Sequence, residues 1–290
     1  MNIGIAARED QAALRALWLQ SFDDTEEAVD AFFARRFRPE DCLVCKKGGE
    51  VLSALYLLPS ALLHAGGALP AHYIYAAATR PDQRGRGLMG RLLGLAAEVG
   101  PTRGEHFSFL LPASGALYDY YAKFGYAEFF SVEEVAVGAD RLRRFAGRAC
   151  PDEGAFSAAS VARLRARLLE GREGAAVWGE EALAYAHRMN RIYKGNTLCI
   201  PGGYALCRRL ENGAVEITEL MAEKESVKDL LRLILRRFPG QMYRFRLPCG
   251  QNILPFPGEQ RRFGMIRPLA RGNFPFESME QPPYLGLTLD

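Results

Sequence analysis

The run over residues 73–90 joins an apolar strand, a loop punctuated by glycines and the start of a helix. Gly85, Gly87 and Gly90 let the backbone approach a ligand closely. Unpaired N–H groups at a helix start, together with the helix dipole, make an anion site suited to a pyrophosphate. Arg84 and Arg86 add positive charge at its rim. The three glycines also fit the Gly-x-Gly-x-x-Gly dinucleotide fingerprint. That fingerprint follows its strand at once, whereas here residues 80–84, including Pro81, intervene. A P-loop is excluded, because no Lys-Ser or Lys-Thr follows the glycines.

The elements that must hold this loop follow from the hydrophobic pattern. Residues 3–6 read as a short strand. Leu14, Leu17, Trp18 and Phe22 recur at helical spacing, and Thr25 caps a second helix to Phe37 that Pro39 ends. Strands over 43–46 and 51–59 flank Lys47-Gly48-Gly49-Glu50, a hairpin signal. A strand over 72–79 leads into the glycine loop. A helix over 88–99 follows, stopped by Gly100 and Pro101. Then come a strand over 107–111, an aromatic helix over 116–124 ended by Gly125, and a last strand over 127–137. This is a mixed α/β (α+β) module.

Two segments together resemble the GNAT N-acetyltransferase superfamily. Thr79-Arg80-Pro81 and Arg84-Gly85-Arg86-Gly87-Leu88-Met89 match its strand, x-Pro, Arg/Gln-x-x-Gly-x-Gly/Ala, helix motif; Met89 stands where the family prefers Gly or Ala. Tyr121-Ala122-Lys123-Phe124-Gly125-Tyr126 matches its Tyr-x-x-Phe-Gly-Phe/Tyr element. The resemblance implies a mostly antiparallel central sheet flanked by helices and a cleft for acetyl-CoA as cosubstrate, with no metal. It implies that Ala77, Ala78 and Thr79 pair with the pantetheine arm, and that Arg84, Gly85, Arg86, Gly87, Leu88, Met89 and Gly90 hold the pyrophosphate. Tyr121 would be the general acid to the leaving thiolate, with Tyr118 and Tyr120 as fallbacks. No carboxylate lies between His72 and Thr79. His72 is therefore a candidate base, competing with a structural histidine, and Glu128, Glu133 and Glu134 are remoter candidates. Some tandem members of the superfamily use the terminal carboxylate, which brings in Asp290. Asp23, Asp24, Glu26 and Glu27 fall where the family shapes its acceptor pocket, and read either as pocket lining or as a solvated cap.

The second half repeats the logic weakly. A helix over 180–193, strands over 204–210 and 215–222 joined at Glu211-Asn212-Gly213, a helix over 227–238 and a strand over 243–247 repeat the order of the first half's middle. A final strand is expected over 285–289. Glu223-Lys224-Glu225-Ser226 stands where a glycine loop would be, so no coenzyme A site is expected there. The reading is an acetyl-CoA-binding domain over 1–148 and a smaller, degenerate GNAT-like domain over 149–290.

Composition narrows the partners. With 49% hydrophobic and 24% charged residues, the chain is neither disordered nor fibrous. A net charge of +3 does not demand a nucleic acid or an anionic membrane. All but six of the 37 basic residues are Arg, which keeps local phosphate or carboxylate sites open. No segment reaches the ~20 apolar residues of a membrane span, and the start lacks a signal-peptide pattern. The six Cys, including Cys42 and Cys45 in an apolar run, read as reduced structural thiols of a cytoplasmic protein. The activity expected is acetyl transfer to a small-molecule or peptide amine. The alternatives are a non-catalytic acyl-CoA sensor and, third, a nucleic-acid module suggested by Arg-rich stretches over 141–148 and 163–167.

Overall fold

The structure, a computed structural model, describes residues 1–148, 151–269, 274–276 and 279–288. It divides into two compact units, Met1–Leu62 with Ala68–Glu128 and Gly264–Glu277, and Leu63–Gly67 with Phe129–Phe263 and Ser278–Asp290.

In the first unit, β1 (Asn2–Ile5) leads to α1 (Gln11–Ser21) and α2 (Glu26–Arg35). Thr25 caps α2 by accepting the Ala28 N–H at 3.2 Å, as its hydroxyl and position predict. Next come β2 (Cys42–Lys47) and β3 (Glu50–His64). They turn tightly at Gly48 and Gly49, both with positive φ, as a two-residue hairpin requires. After β4 (Gly67–Thr79), the loop leads into α3 (Leu88–Thr102), β5 (Phe107–Leu110), α4 (Gly115–Ala122) and β6 (Ala127–Glu128). Gly100 and Pro101 do not stop α3, since a proline in the last turn forgoes only one backbone bond.

The second unit holds β7 (Ser131–Gly138), α5 (Ala139–Phe145), α6 (Ala158–Leu168), β8 (Ala176–Val177), α7 (Glu180–Ile192), β9 (Asn196–Ile200), β10 (Gly203–Arg209) and β11 (Val215–Ala222). It continues with α8 (Val227–Arg237), β12 (Met242–Leu247) and β13 (Glu259–Arg262). A last strand, β14 (Met265–Pro268), returns to the first unit.

The first sheet runs β1-β2-β3-β4-β5-β14-β6 and the second β13-β7-β12-β11-β10-β9. The strand expected over 127–137 is therefore two. Ala127 and Glu128 pair with β14, whereas β7 pairs with β12 and β13. For the same reason the units part after Glu128 rather than at 148, and β14, paired with β5, belongs to the first despite its late place in the sequence. Residues 285–288 form no strand.

One face of the first sheet packs Leu52, Leu55, Ile74 and Leu110 against Leu88, Leu92 and Ala96 of α3. On the other face Trp18, Phe32 and Phe33 from α1 and α2 meet Tyr56 and Tyr75, with Trp18–Phe32 centroids at 4.7 Å. In the second unit α8 buries Leu230, Leu231 and Ile234 against Val215, Ile217, Tyr243 and Phe245.

Candidate active site

The site begins where two parallel strands part. β4 pairs with β5 only at Ala71↔Phe107, His72↔Ser108 and Tyr73↔Phe109. β4 then runs on to Thr79 without β5 beside it. Ala76 has φ +43°, a strained value for a residue with a Cβ, which breaks the regular alternation of peptide groups along this open stretch. Ala77 is half-buried and Ala78 buried. The carbonyl of Ala78 accepts from Ser53 Oγ at 2.9 Å, and that of Thr79 from Arg84 Nε at 3.2 Å. Ser53 Oγ also meets Thr79 Oγ1 at 2.7 Å, so one buried serine on β3 fixes the end of β4.

The loop that follows is exposed from Arg84 to Gly87. Gly85 (φ +74°) and Gly87 (φ +72°) both take left-handed backbone, and a Cβ on either would meet only open space. Gly87 is the N-cap of α3 and has no side chain to cover the helix amides. The first bond inside the helix runs from Arg91 N–H to Gly87 C=O at 3.2 Å, which leaves the amides of Leu88, Met89 and Gly90 directed outward. This is the geometry an anion needs. Leu88 is buried in the core and Met89 packs on its edge, so both would serve a ligand through their backbone. Arg80 is engaged by Glu50 at 3.0 Å and Asp82 at 2.8 Å, which leaves Arg84 and Arg86 as the exposed cations of the loop.

Gly90 has a second role that the motif does not show. A Cβ there would lie 2.6 Å from the Phe124 ring, so the missing side chain lets the residues after α4 pack against α3. That contact brings the second sequence motif to the first. Tyr121, on α4, joins Leu88, Leu92, Leu110 and Met265 in one cluster, edge-on to Tyr120 at 5.4 Å and Tyr126 at 5.9 Å. It is 9% exposed, and burial pushes its phenol pKa well up. Among the described residues no group hydrogen-bonds its hydroxyl. Tyr126 is held by Ser108 Oγ at 2.6 Å, and burial pushes its pKa up to about 12. The Tyr118 hydroxyl accepts from Gly264 N–H at 3.3 Å, a structural use.

His72 is not in the cleft. It is fully buried on the α3 side of β4, with Nδ1 2.6 Å from Glu105 Oε2 and its ring 3.3 Å from where a Gly100 Cβ would sit. Glu105 also meets Arg103 at 3.1 Å, and Arg103 meets Asp41 at 2.7 Å. An imidazole with no accessible surface meets no diffusing amine, so the structure assigns it a structural role. Glu133 and Glu134 lie on β7, in the second unit, and Glu128 is exposed on β6. Asp290 lies outside the described residues. Of the acidic run, Asp24 accepts the Trp18 indole N–H at 2.7 Å and Glu26 pairs with Arg15 at 2.9 Å, while Asp23 and Glu27 are exposed.

Residues 3–129 match the family profile described as acetyltransferase (GNAT) domain. This part of the chain is similar in sequence to GNAT acetyltransferase domains. The likeness of fold extends over almost the whole chain. A probable N-acyltransferase from Enterococcus faecalis V583 aligns with TM-score 0.73 at 15% identity, over 92% of this chain and 72% of that one. A GCN5-related N-acetyltransferase from Kribbella flavida gives TM-score 0.73 at 18% identity over the same shares. A tandem GNAT protein from the clavulanic acid biosynthesis pathway gives 0.51 at 16%, covering 94% of this chain and all of that one. No match is found among curated proteins. Among the described residues no group of three metal-ligating side chains occurs, and no helix is long and apolar enough to cross a membrane.

Ala76, Ser53 and the wall formed by Phe124 were not legible in the sequence. Nothing marks an alanine for positive φ, and Ser53 reads as an ordinary strand residue.

Proposed function

We propose that the first unit transfers an acetyl group from acetyl-CoA to a primary amine. The observation that carries this reading is one place in the fold where β4 leaves β5, α3 presents uncovered amides and Tyr121 stands in the adjoining cluster. The amides of Leu88 to Gly90, with Arg84 and Arg86, hold the pyrophosphate. The free edge of β4 from Ala76 to Thr79 receives the pantetheine arm as an added strand. The cosubstrate supplies the activated acetyl thioester. The neutral amine attacks its carbonyl carbon, an unpaired N–H of β4 steadies the oxyanion, and the C–S bond breaks. Tyr121 gives its proton to the departing sulfur, and the proton lost by the attacking nitrogen passes through solvent to restore the phenol. Burial keeps the phenol protonated throughout the neutral range, so the proton is present to be given.

Thermal unfolding with acetyl-CoA, coenzyme A or NAD added separately tests the cofactor. A ligand at roughly 100 times its Kd stabilises by about 2.7 kcal/mol. A shift with the coenzyme A species alone is the expected result. A shift with NAD alone, or with none of the three, overturns the reading.

A further inference from the structure

The second sheet contains the same parting of strands, and it is filled. β11 runs parallel to β12 at Val215↔Tyr243, Glu216↔Arg244 and Ile217↔Phe245, and then the two separate. Glu219 lies just past the fork, fully buried. Its Oε1 is 3.2 Å from Arg165 Nε, and its Oε2 accepts from Tyr204 Oη at 2.6 Å. Arg165 is itself 2% exposed and spends its remaining donors on carbonyls, Ala176 O at 2.6 Å and Leu285 O at 3.2 Å.

Residues 282–287 are held along their backbone from several sides. Arg172 bridges Pro282 O at 3.0 Å and Cys249 O, just beyond β12, at 2.9 Å. Ser131 N–H donates to Pro283 O at 3.0 Å and Ala176 N–H to Tyr284 O at 2.9 Å. Trp178 Nε1 joins Arg165 on Leu285 O at 3.0 Å. Tyr284 and Leu285 are completely buried, and the Arg165 guanidinium lies 5.8 Å from the Tyr284 ring centroid. Gly286 has φ +72°, and a Cβ on it would lie 2.4 Å from Glu219 Oε1 and 2.7 Å from Arg165 Nη2.

We propose that the fork between β11 and β12 is a peptide-binding site, occupied in cis by residues 284–287, in which the buried Arg165–Glu219 pair selects glycine at position 286. The ligand class is an extended aromatic-aliphatic-glycine-aliphatic peptide. It is recognised through main-chain carbonyls: Arg165 and Trp178 both donate to Leu285 O, and Ala176 N–H donates to Tyr284 O. The site does not depend on what the first unit does.

Hydrogen exchange on the full chain, read residue by residue, tests the proposal. In the wild type the amides of Ser131 and Ala176 are protected like sheet amides, because their acceptors are Pro283 and Tyr284. In Gly286→Ala both exchange about tenfold faster or more, while amides of β10 keep their wild-type rates. Unprotected Ser131 and Ala176 in the wild type, or unchanged protection in Gly286→Ala, overturns the proposal. If the variant does not fold, the wild-type measurement decides alone.

Discussion

Replacing Tyr121 with phenylalanine separates chemistry from architecture, because the structure fixes what the substitution keeps and what it removes. The ring contacts with Tyr120 at 5.4 Å and Tyr126 at 5.9 Å survive. What disappears is one hydroxyl with no protein partner among the described residues. With no hydrogen bond among the described residues to lose, stability should change by about 1 kcal/mol at most. Removal of a general acid costs roughly 10²- to 10⁴-fold in rate. A thiolate is a good leaving group, with a parent pKa near ~8.5, so the low end applies. That is about 100-fold, or ~2.7 kcal/mol of barrier. The assay is initial-rate release of the coenzyme A thiol with an amine acceptor, with kcat and the KM for acetyl-CoA measured separately. kcat should fall and KM stay, since the hydroxyl lies off the pyrophosphate cradle. The pH profile adds an independent check. Burial raises the folded pKa of Tyr121, so its proton is present at neutral pH and is lost only as pH rises through that raised value. The wild-type rate should therefore climb as the amine deprotonates, with no alkaline fall below about pH 10. A variant that keeps kcat within about threefold of wild type would refute the assignment, since so small a loss lies outside the general-acid range.

Three further perturbations address other parts of the molecule. Gly87→Asp puts a like charge and a Cβ at φ +72° beside the uncovered amides; coenzyme A should no longer shift the melting temperature, whereas unchanged affinity would remove the cradle. His72→Ala empties the space of a fully buried ring and removes its hydrogen bond to Glu105, and should destabilise by about 2–5 kcal/mol, read by melting, while KM for acetyl-CoA in the folded fraction stays near wild type; a selective loss of kcat would restore the histidine to catalysis. Glu219→Gln strands the Arg165 charge and should also cost about 3–5 kcal/mol, whereas Arg165→Met with Glu219→Leu should recover most of it; equal losses in denaturant titration would mean that packing, not charge, dominates.

The sequence carries the local parts of this fold well. Thr25, Gly48-Gly49 and Asn212-Gly213 each demand one backbone conformation, and each caps or turns where expected. The glycine loop was legible for the same reason, since Gly85 and Gly87 serve the backbone directly. What pairing decides was not legible. Ala127 and Ser131 are only a few residues apart yet join different sheets, and a residue-by-residue pattern holds no record of partners. β14 is four residues long and is recognisable only by its place between β5 and β6. His72 misled because a histidine beside an apolar run looks the same whether it faces a cleft or a buried glutamate. Only the alternation of β4, with Tyr73 and Tyr75 toward α1 and α2, assigns it to the α3 side.

The two parted strand pairs pose the same physical problem and meet it differently. A fork in a parallel sheet exposes main-chain donors and acceptors along both edges, and such groups are not left bare in an interior. In the first unit β4 ends on a loop whose amides at the start of α3 remain uncovered, and the proposed function uses both the fork and these amides for one ligand. In the second the equivalent loop is spent internally. Glu223 N–H bonds Gly202 O at 2.8 Å, Ser226 N–H bonds Glu223 O at 2.9 Å, and the Ser226 hydroxyl bonds Pro201 O at 3.0 Å. Glu223 adds negative charge where a phosphate would sit, and pairs with Arg167. With no cradle to recruit a cosubstrate, the second fork needs another partner for its edges, and residues 284–287 supply one. Equilibrium dialysis should accordingly find one coenzyme A per chain. A second site of similar affinity would mean that the segment yields to the ligand, and that the second fork is a regulated site rather than a filled one.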